Sequence, residues 1–351
     1  MAGTRYANAA LRSNINPRYI VDMMSRRTFL WLAGTCVSTW PIVVFAQQSA
    51  KRQVLGFLLS ETREGQESRL AALRTGLLER GYVEGRNIAV ELRSADGDYA
   101  RLPKLAEELA RLKVDVMVAF GSKAVLAARR AAGAIPIVAP VLGDPVAIGV
   151  TKSLARPDGN VTGSAILTVE LFSKHIQLLK EVAPKTSRVA VFVNPANATG
   201  TTESMRVAMS KAKKALGVEL ESFDLSSPQD ITGAFAKIAK GRVDALYVLS
   251  DTLFRKHAAE IAQQAARQRL PSVGTREFAD AGGLVGYGAN DTEMYVRGAY
   301  FIDRILRGAK VGDLPIEQAT RFELVLNRKT AALVGVSVPQ ALLLRADRVI
   351  E

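Results

Sequence analysis

The sequence is almost without cysteine: Cys36 is the single one in 351 residues. It falls inside a stretch read below as a removable leader, so the remaining chain has no thiol. Disulfides, thiolate metal sites and thiol nucleophiles are thereby excluded. Histidine is nearly as scarce, with His175 and His257 each isolated inside a predicted helix. That argues against a His-based metal site or a Ser-His-Asp constellation and leaves a packing or helix-surface role for both. After residue 46 no apolar run approaches the roughly 20 residues of a membrane-spanning helix. Aromatics amount to 6%, and the 27 Gly and 13 Pro are spread along the whole chain, which excludes collagen-like and linker-like compositions.

Catalytic and nucleotide signatures are missing too. No Gly is followed by Lys, so there is no P-loop, and G-x-S-x-G does not occur. No G-x-G-x-x-G follows the first predicted strand, where Gly56 is internal and Glu61-Thr62-Arg63 occupy the turn. The formal net charge is +13, yet no run of five like charges and no basic-aromatic stripe exists, so nucleic acid is not an expected partner. No enzyme, catalytic residue, metal or cofactor is expected.

What is present is a chain 48% hydrophobic and 23% charged, long enough for two domains that each bury a core. From Met24 it reads MSRRTFLWLAGTCVSTWPIVVFA, a basic pair followed by an apolar stretch closing on Val44-Phe45-Ala46. This is the layout of a signal peptide, so 1–46 is taken as N-terminal extension plus leader and Met24 as the better start. Arg26-Arg27 resemble a twin-arginine signal, but Trp31 and Leu32 stand where a basic residue is common, which keeps the general secretory route open. Pro41 and the polar Thr35, Ser38 and Thr39 weaken the alternative of a single anchoring helix. The expected location is the periplasm. Removing the leader takes five arginines and one aspartate from the net charge of +13, which leaves +9.

Beyond it, short apolar runs alternate with helix-spaced patterns. Strands are predicted at 54–59, 88–92, 114–119, 135–139 and 160–166, with helices at 67–80, 102–112 and 123–132 between them. A second series has strands at 188–193, 218–223, 245–249, 271–273 and 283–287, with helices at 203–216, 228–240 and 253–268. Continuous apolar strands fit parallel sheets buried on both faces. The expected fold is therefore α/β, with two doubly wound Rossmann-like lobes joined by short hinge crossings near 163–169 and 287–291. A helix over 292–308 would return to the first lobe. The lobes are assigned as 52–165 plus 289–318 and 166–288 plus 319–351.

In open α/β sheets ligands bind beyond the carboxyl ends of the strands, where helix N-termini present free N–H groups. The polar residues there are Ser60, Gly121-Ser122, Asp144, Thr168, Asn194, Asp251, Glu277 and Tyr287, which are the candidate ligand-binding residues. Gly121-Ser122 would cradle a carboxylate, and plain capping is the competing role. Asp144, in a Gly-Asp-Pro turn before an expected helix, would meet an ammonium or else cap that helix. Asn194-Pro195 and Ser250-Asp251 also read as turns, and Glu277 as a partner of Arg276.

The blocks GLLERGYVEGRNIAVELRSADGD, LKVDVMVAFGSKA, IPIVAPVLGDPVAIG, SLARPDGNVTG, REFADAGGLVGYG, RILRGAKVGDLPIEQATRFELVLN and LLLRADRVIE resemble, in collinear order over about 52–351, the substrate-binding proteins of ABC importers in the tryptophan-binding-protein-like family. The resemblance implies a type I periplasmic-binding-protein fold with three crossings, and a monomeric, non-catalytic receptor for a small solute that delivers it to an ABC transporter permease. Relatives with known ligands bind aromatic amino acids, so an amino acid or a related aromatic or carboxylic compound is expected. By the same resemblance Ser60, Ser122, Asp144, Asn194, Asp251 and Tyr287 fall at cleft-facing positions. Ser122-Lys123 stand where the family often has Thr-Pro, which adds a cation at the expected carboxylate site. A ligand sensor serving a signalling partner and an exported α/β enzyme are the alternatives.

Overall fold

The structure, a computed structural model, describes residues 52–197 and 203–351. The expected leader, with Cys36 and the paired arginines, lies outside the described residues. The first series of elements is β1 (Gln53–Leu59), α1 (Glu67–Leu78), β2 (Ile88–Ser94), α2 (Leu102–Arg111), β3 (Val116–Phe120), α3 (Ser122–Ala131), β4 (Ile137–Gly143) and β5 (Val161–Ile166). The second is α4 (Thr168–Val182), β6 (Arg188–Val193), α5 (Glu203–Leu216), β7 (Glu219–Asp224), α6 (Pro228–Lys240), β8 (Ala245–Val248), α7 (Thr252–Lys256), α8 (Ala258–Arg267), β9 (Ser272–Gly274), α9 (Arg276–Asp280) and β10 (Val285–Ala289). The chain closes with α10 (Asp291–Leu306), β11 (Glu317–Gln318), β12 (Phe322–Asn327), α11 (Arg328–Val334), α12 (Gln340–Leu343) and β13 (Arg348–Ile350).

These strands form two sheets, one in the order β11-β5-β4-β3-β1-β2 and the other β13-β12-β10-β9-β8-β6-β7. The first is parallel throughout. The second is parallel except that β12 runs antiparallel to β10. Both are covered on two faces, which explains the unbroken apolar runs. In β1, Leu55, Phe57 and Leu59 pack on one side with Val116 and Val118, while Leu58 packs on the other with Met117 and Ala119.

The chain passes between the sheets three times. It leaves the first after Ile166 and enters α4, whose Phe172, Ile176 and Leu179 join the core of the second sheet. It returns after Ala289 as α10, which lays Tyr295, Ala299 and Ile302 into the core of the first. It crosses again over 319–321 to β12. Two close approaches fix these passages. A Cβ on Gly76 of α1 would lie 2.6 Å from the Val296 carbonyl oxygen of α10, so only glycine lets the helices meet. Gly163 has φ +138°, and its Cβ would lie 1.9 Å from the Ala139 carbonyl oxygen, where the pairing of β4 with β5 is irregular.

Two local expectations are corrected, and a third element gains its bounds. The helix expected over 253–268 is two helices, because His257 leaves helical geometry (φ −104°, ψ 17°) between α7 and α8. The segment after Asp144 is a set of turns rather than a helix. The helix expected around His175 is the fifteen-residue α4, and it begins directly at the crossing.

Candidate functional site

The carboxyl ends of both sheets open on one cavity of about 150 Å³. At the roughly 30 Å³ that a water occupies in the liquid this is room for about five waters, the size of a small organic solute. The first lobe lines it with the turn after β1, the start of α3 and the inner face of α10; the second with the turns after β8, β9 and β10 and the start of α4.

Its charged groups are largely engaged with one another. Arg69, in the buried stripe of α1, donates from Nε (3.2 Å) and a terminal nitrogen (2.9 Å) to Asp291 Oδ2. It also stands 3.8 Å from Glu61. Burial alone would lower the Arg69 pKa, but the neighbouring Tyr295, Asp291 and Glu61 override it and hold the guanidinium above its ordinary value. Across the cleft Arg255 Nε donates to Glu61 Oε1 at 2.9 Å and the Thr252 hydroxyl to the same oxygen at 3.3 Å. Tyr99 of the first lobe donates to Asp251 Oδ2 at 3.1 Å. Burial, and then the Asp251 carboxylate, push the Tyr99 phenol up, so it remains a donor. Lys123, second residue of α3, lines the cavity and forms no ion pair among the described residues.

His175 is the cavity's buried titratable ring. Its Nε2 lies 2.7 Å from the Tyr287 carbonyl oxygen and its Nδ1 3.2 Å from the Tyr247 hydroxyl. A carbonyl can only accept, so Nε2 carries the proton and Nδ1 accepts from Tyr247. Burial pulls its pKa down to about 4, against which the bond to Tyr287 works. A neutral imidazole with both nitrogens occupied stiffens the wall and has no lone pair to offer a reaction.

Ser60, Gly121, Ser122, Thr168, Asp251, Glu277 and Tyr287 line this cavity. Their local roles differ in part from expectation. Gly121, at φ +96°, is itself the N-cap of α3. The Ser122 hydroxyl instead accepts from Gly143 N–H at 3.1 Å, tying α3 to the end of β4. Ser60 donates to the Phe120 carbonyl at 3.0 Å, and Thr168 weakly to Ile166 at 3.4 Å. Glu277 pairs with Arg276 at 3.1 Å.

Two expected residues do not line it. Asp144 turns its carboxylate to Ala147 N–H at 3.1 Å, closing its own turn. Asn194 is buried behind Asp251, donating to Asp251 Oδ1 at 2.9 Å and accepting from Ala196 N–H at 2.9 Å. With Asn197 and Leu253 N–H it saturates that carboxylate. Reading only the residues at strand ends missed Gln66, Arg69, His175, Arg255, Asp291 and Tyr295, which reach the cavity from helices. Arg69 carries a legible signal, since it occupies the same helical stripe as Leu73 and Gly76, where a charge needs buried partners.

Comparison with known proteins adds identity to this geometry. A family profile described as ABC transporter substrate binding protein matches residues 63–350. The chain is 27% identical over 259 residues, 72% of each sequence, to a protein named "Tyrosine-binding protein" from Clostridioides difficile (strain R20291). Among solved structures, a conserved domain protein from Vibrio cholerae is 26% identical, with a TM-score of 0.79, covering 85% of this chain and 100% of the other. An ABC domain from Streptococcus pneumonia in complex with L-Trp is 21% identical, with a TM-score of 0.78 and the same coverage.

Proposed function

The chain belongs to the ABC transporter substrate binding protein family, a family of binding proteins and not of enzymes, and from that premise we propose that it is an exported receptor for an aromatic amino acid or a close carboxylic relative. It holds this solute between two lobes and delivers it to the permease of an ABC importer. One observation carries the reading: residues from the carboxyl ends of both sheets converge on a single cavity that side-chain hydrogen bonds already bridge. Hinged closure uses ligand contacts from both sides to favour the closed form, which is the form a permease reads.

The ligand class rests on the tyrosine-binding relative and on the cavity's charges. The solute carboxylate meets Lys123, which forms no ion pair among the described residues, and the first N–H groups of α3, beside Gly121 and Ser122. Its ammonium faces Glu277 from the second lobe. The aromatic ring lies toward Phe120 and Tyr295, whose rings stack at 5.3 Å. Calorimetric titration of the purified protein with tyrosine, tryptophan, phenylalanine and benzoate-type acids tests this. Saturable one-to-one binding of at least one is expected; absence of binding to all, with sugars or aliphatic amino acids binding instead, overturns it.

A further inference from the structure

Glu61, in the turn after β1, faces cations on both sides. Its Oε1 accepts from Arg255 Nε at 2.9 Å and from the Thr252 hydroxyl at 3.3 Å, and both donors belong to α7 of the second lobe. Its Oε2 stands 3.8 Å from Nη1 of Arg69, on α1 in its own lobe. That is too long for a hydrogen bond. Nη1 makes none among the described residues, whereas Nε and Nη2 of the same guanidinium are fixed on Asp291. The Glu61 and Arg69 side chains are both at least nine-tenths buried.

Parting of the lobes carries Arg255 and Thr252 away with α7. A carboxylate this buried is costly without a partner, and the cation that stays beside it is Arg69. A shift of about 1 Å brings Oε2 and Nη1 to hydrogen-bond distance. The other carboxylate of the interlobe contact is provided for in the same way. Asp251 loses Tyr99 but keeps Asn194, Asn197 and the Leu253 N–H, all in its own lobe. The two pairings of Glu61 are unequal, however. Arg69 is shared with Asp291, whereas Arg255 arrives together with a hydroxyl, so the interlobe pairing is the stronger and closure gains only the difference.

We propose that Glu61 is an exchange latch: it pairs with Arg255 and Thr252 when the lobes are together and with Arg69 Nη1 when they part. The exchange keeps a buried carboxylate paired in both states, so the empty receptor opens at small cost and the solute, rather than the clasp, decides closure. Arg69 thereby opposes closure, although it lines the binding cavity. This rests on the hinged-receptor reading above and names the residues that balance the hinge.

The test is small-angle scattering of the solute-free full chain as parent, Arg69→Gln, Arg255→Met and the double variant, with the melting temperature of each. Removing the competing nitrogen of Arg69 should shift the parent toward the closed form roughly two- to fivefold, seen as a smaller radius of gyration. In the Arg255→Met background the same substitution should leave the radius unchanged, because Glu61 then has the same partner, Arg69 or none, in both forms. A larger or unchanged radius for Arg69→Gln in the parent, or an equal shift with and without Arg255, overturns the proposal. A second measure leaves Arg69 in place and so does not depend on whether Arg69→Gln folds. If Glu61 passes to Arg69 once Arg255 is lost, adding Glu61→Gln to Arg255→Met breaks a pair and should lower the melting temperature by about 2 °C. If Glu61 is left unpaired there, the same change removes a lone buried charge and the melting temperature rises or stays, which overturns the exchange. Both measurements use no solute, so their failure leaves the binding reading to its own titration.

Discussion

The carboxylate of Glu61, in the turn after the first strand of one lobe, accepts a 2.9 Å hydrogen bond from Arg255 Nε on the other. The two residues are 194 positions apart in sequence. With the Tyr99–Asp251 bond at 3.1 Å, it forms a clasp between the lobes made by the protein's own side chains. The cleft thus has a polar contribution to closure built into its own walls, and the solute adds to it.

Removing one half of that clasp should move the equilibrium toward the open form. Arg255 is about one-third exposed at its side chain, so the bond is worth less than a fully buried charged pair, about 1 to 2 kcal/mol. Arg255→Met is expected to enlarge the radius of gyration of the ligand-free protein in small-angle scattering and to weaken solute affinity roughly 5- to 30-fold. An unchanged radius with unchanged affinity would show that the contact has no part in closure.

His175 makes stability depend on acidity. Its folded pKa is lowered to about 4 from an ordinary 6.5. Between these values the unfolded chain binds a proton that the folded chain refuses, so stability falls as pH drops from about 6.5 toward 4. The full contribution approaches about 3 kcal/mol. Urea unfolding at pH 7 and pH 4.5 should show a larger loss for the parent than for His175→Gln. Equal losses would mean that the ring is not held neutral by the fold.

The contact of α1 with α10 offers a packing test. Gly76→Ala would place a methyl 2.6 Å from the Val296 carbonyl oxygen, pushing away the helix that carries Asp291 and Tyr295. Overpacking of this kind costs about 1 to 3 kcal/mol. Both the melting temperature and solute affinity should fall, because the cavity wall moves with the helix. A variant that melts lower but binds unchanged would show that the displacement is absorbed away from the site.

The two lobes were legible because strands buried on both faces leave continuous apolar runs, as 54–59 and 188–193 do. Gly121, Ser122 and Tyr287 were legible in the same way, since the end of a parallel strand is also the edge of the cleft. Arg69, Asp291 and Gln66 were not, because a helix residue meets the cavity only through where its helix packs, and α10 arrives from the other lobe. Asp144 misled for a local reason. A Gly-Asp-Pro turn that closes on its own backbone has the same letters as one that caps a helix and faces a ligand.

One cation and one anion resolve that ambiguity by experiment. Lys123 lines the cavity without an ion pair among the described residues, whereas Asp144 does not line it and spends its carboxylate on Ala147 N–H. If the solute carboxylate lies at the start of α3, Lys123→Met should weaken binding about tenfold, the loss of about 1.4 kcal/mol from one charge-assisted contact at a half-buried site. It should also flatten the dependence of affinity on salt. Asp144→Asn should leave affinity within about twofold and lower the melting temperature slightly, as the loss of a turn-closing carboxylate costs about 0.5 to 1 kcal/mol. Calorimetry of both variants at low and high ionic strength, beside their melting curves without ligand, decides the matter. Strong loss of binding in Asp144→Asn with Lys123→Met unaffected would return the charged end of the ligand to the Gly-Asp-Pro turn and overturn the placement of the carboxylate at α3.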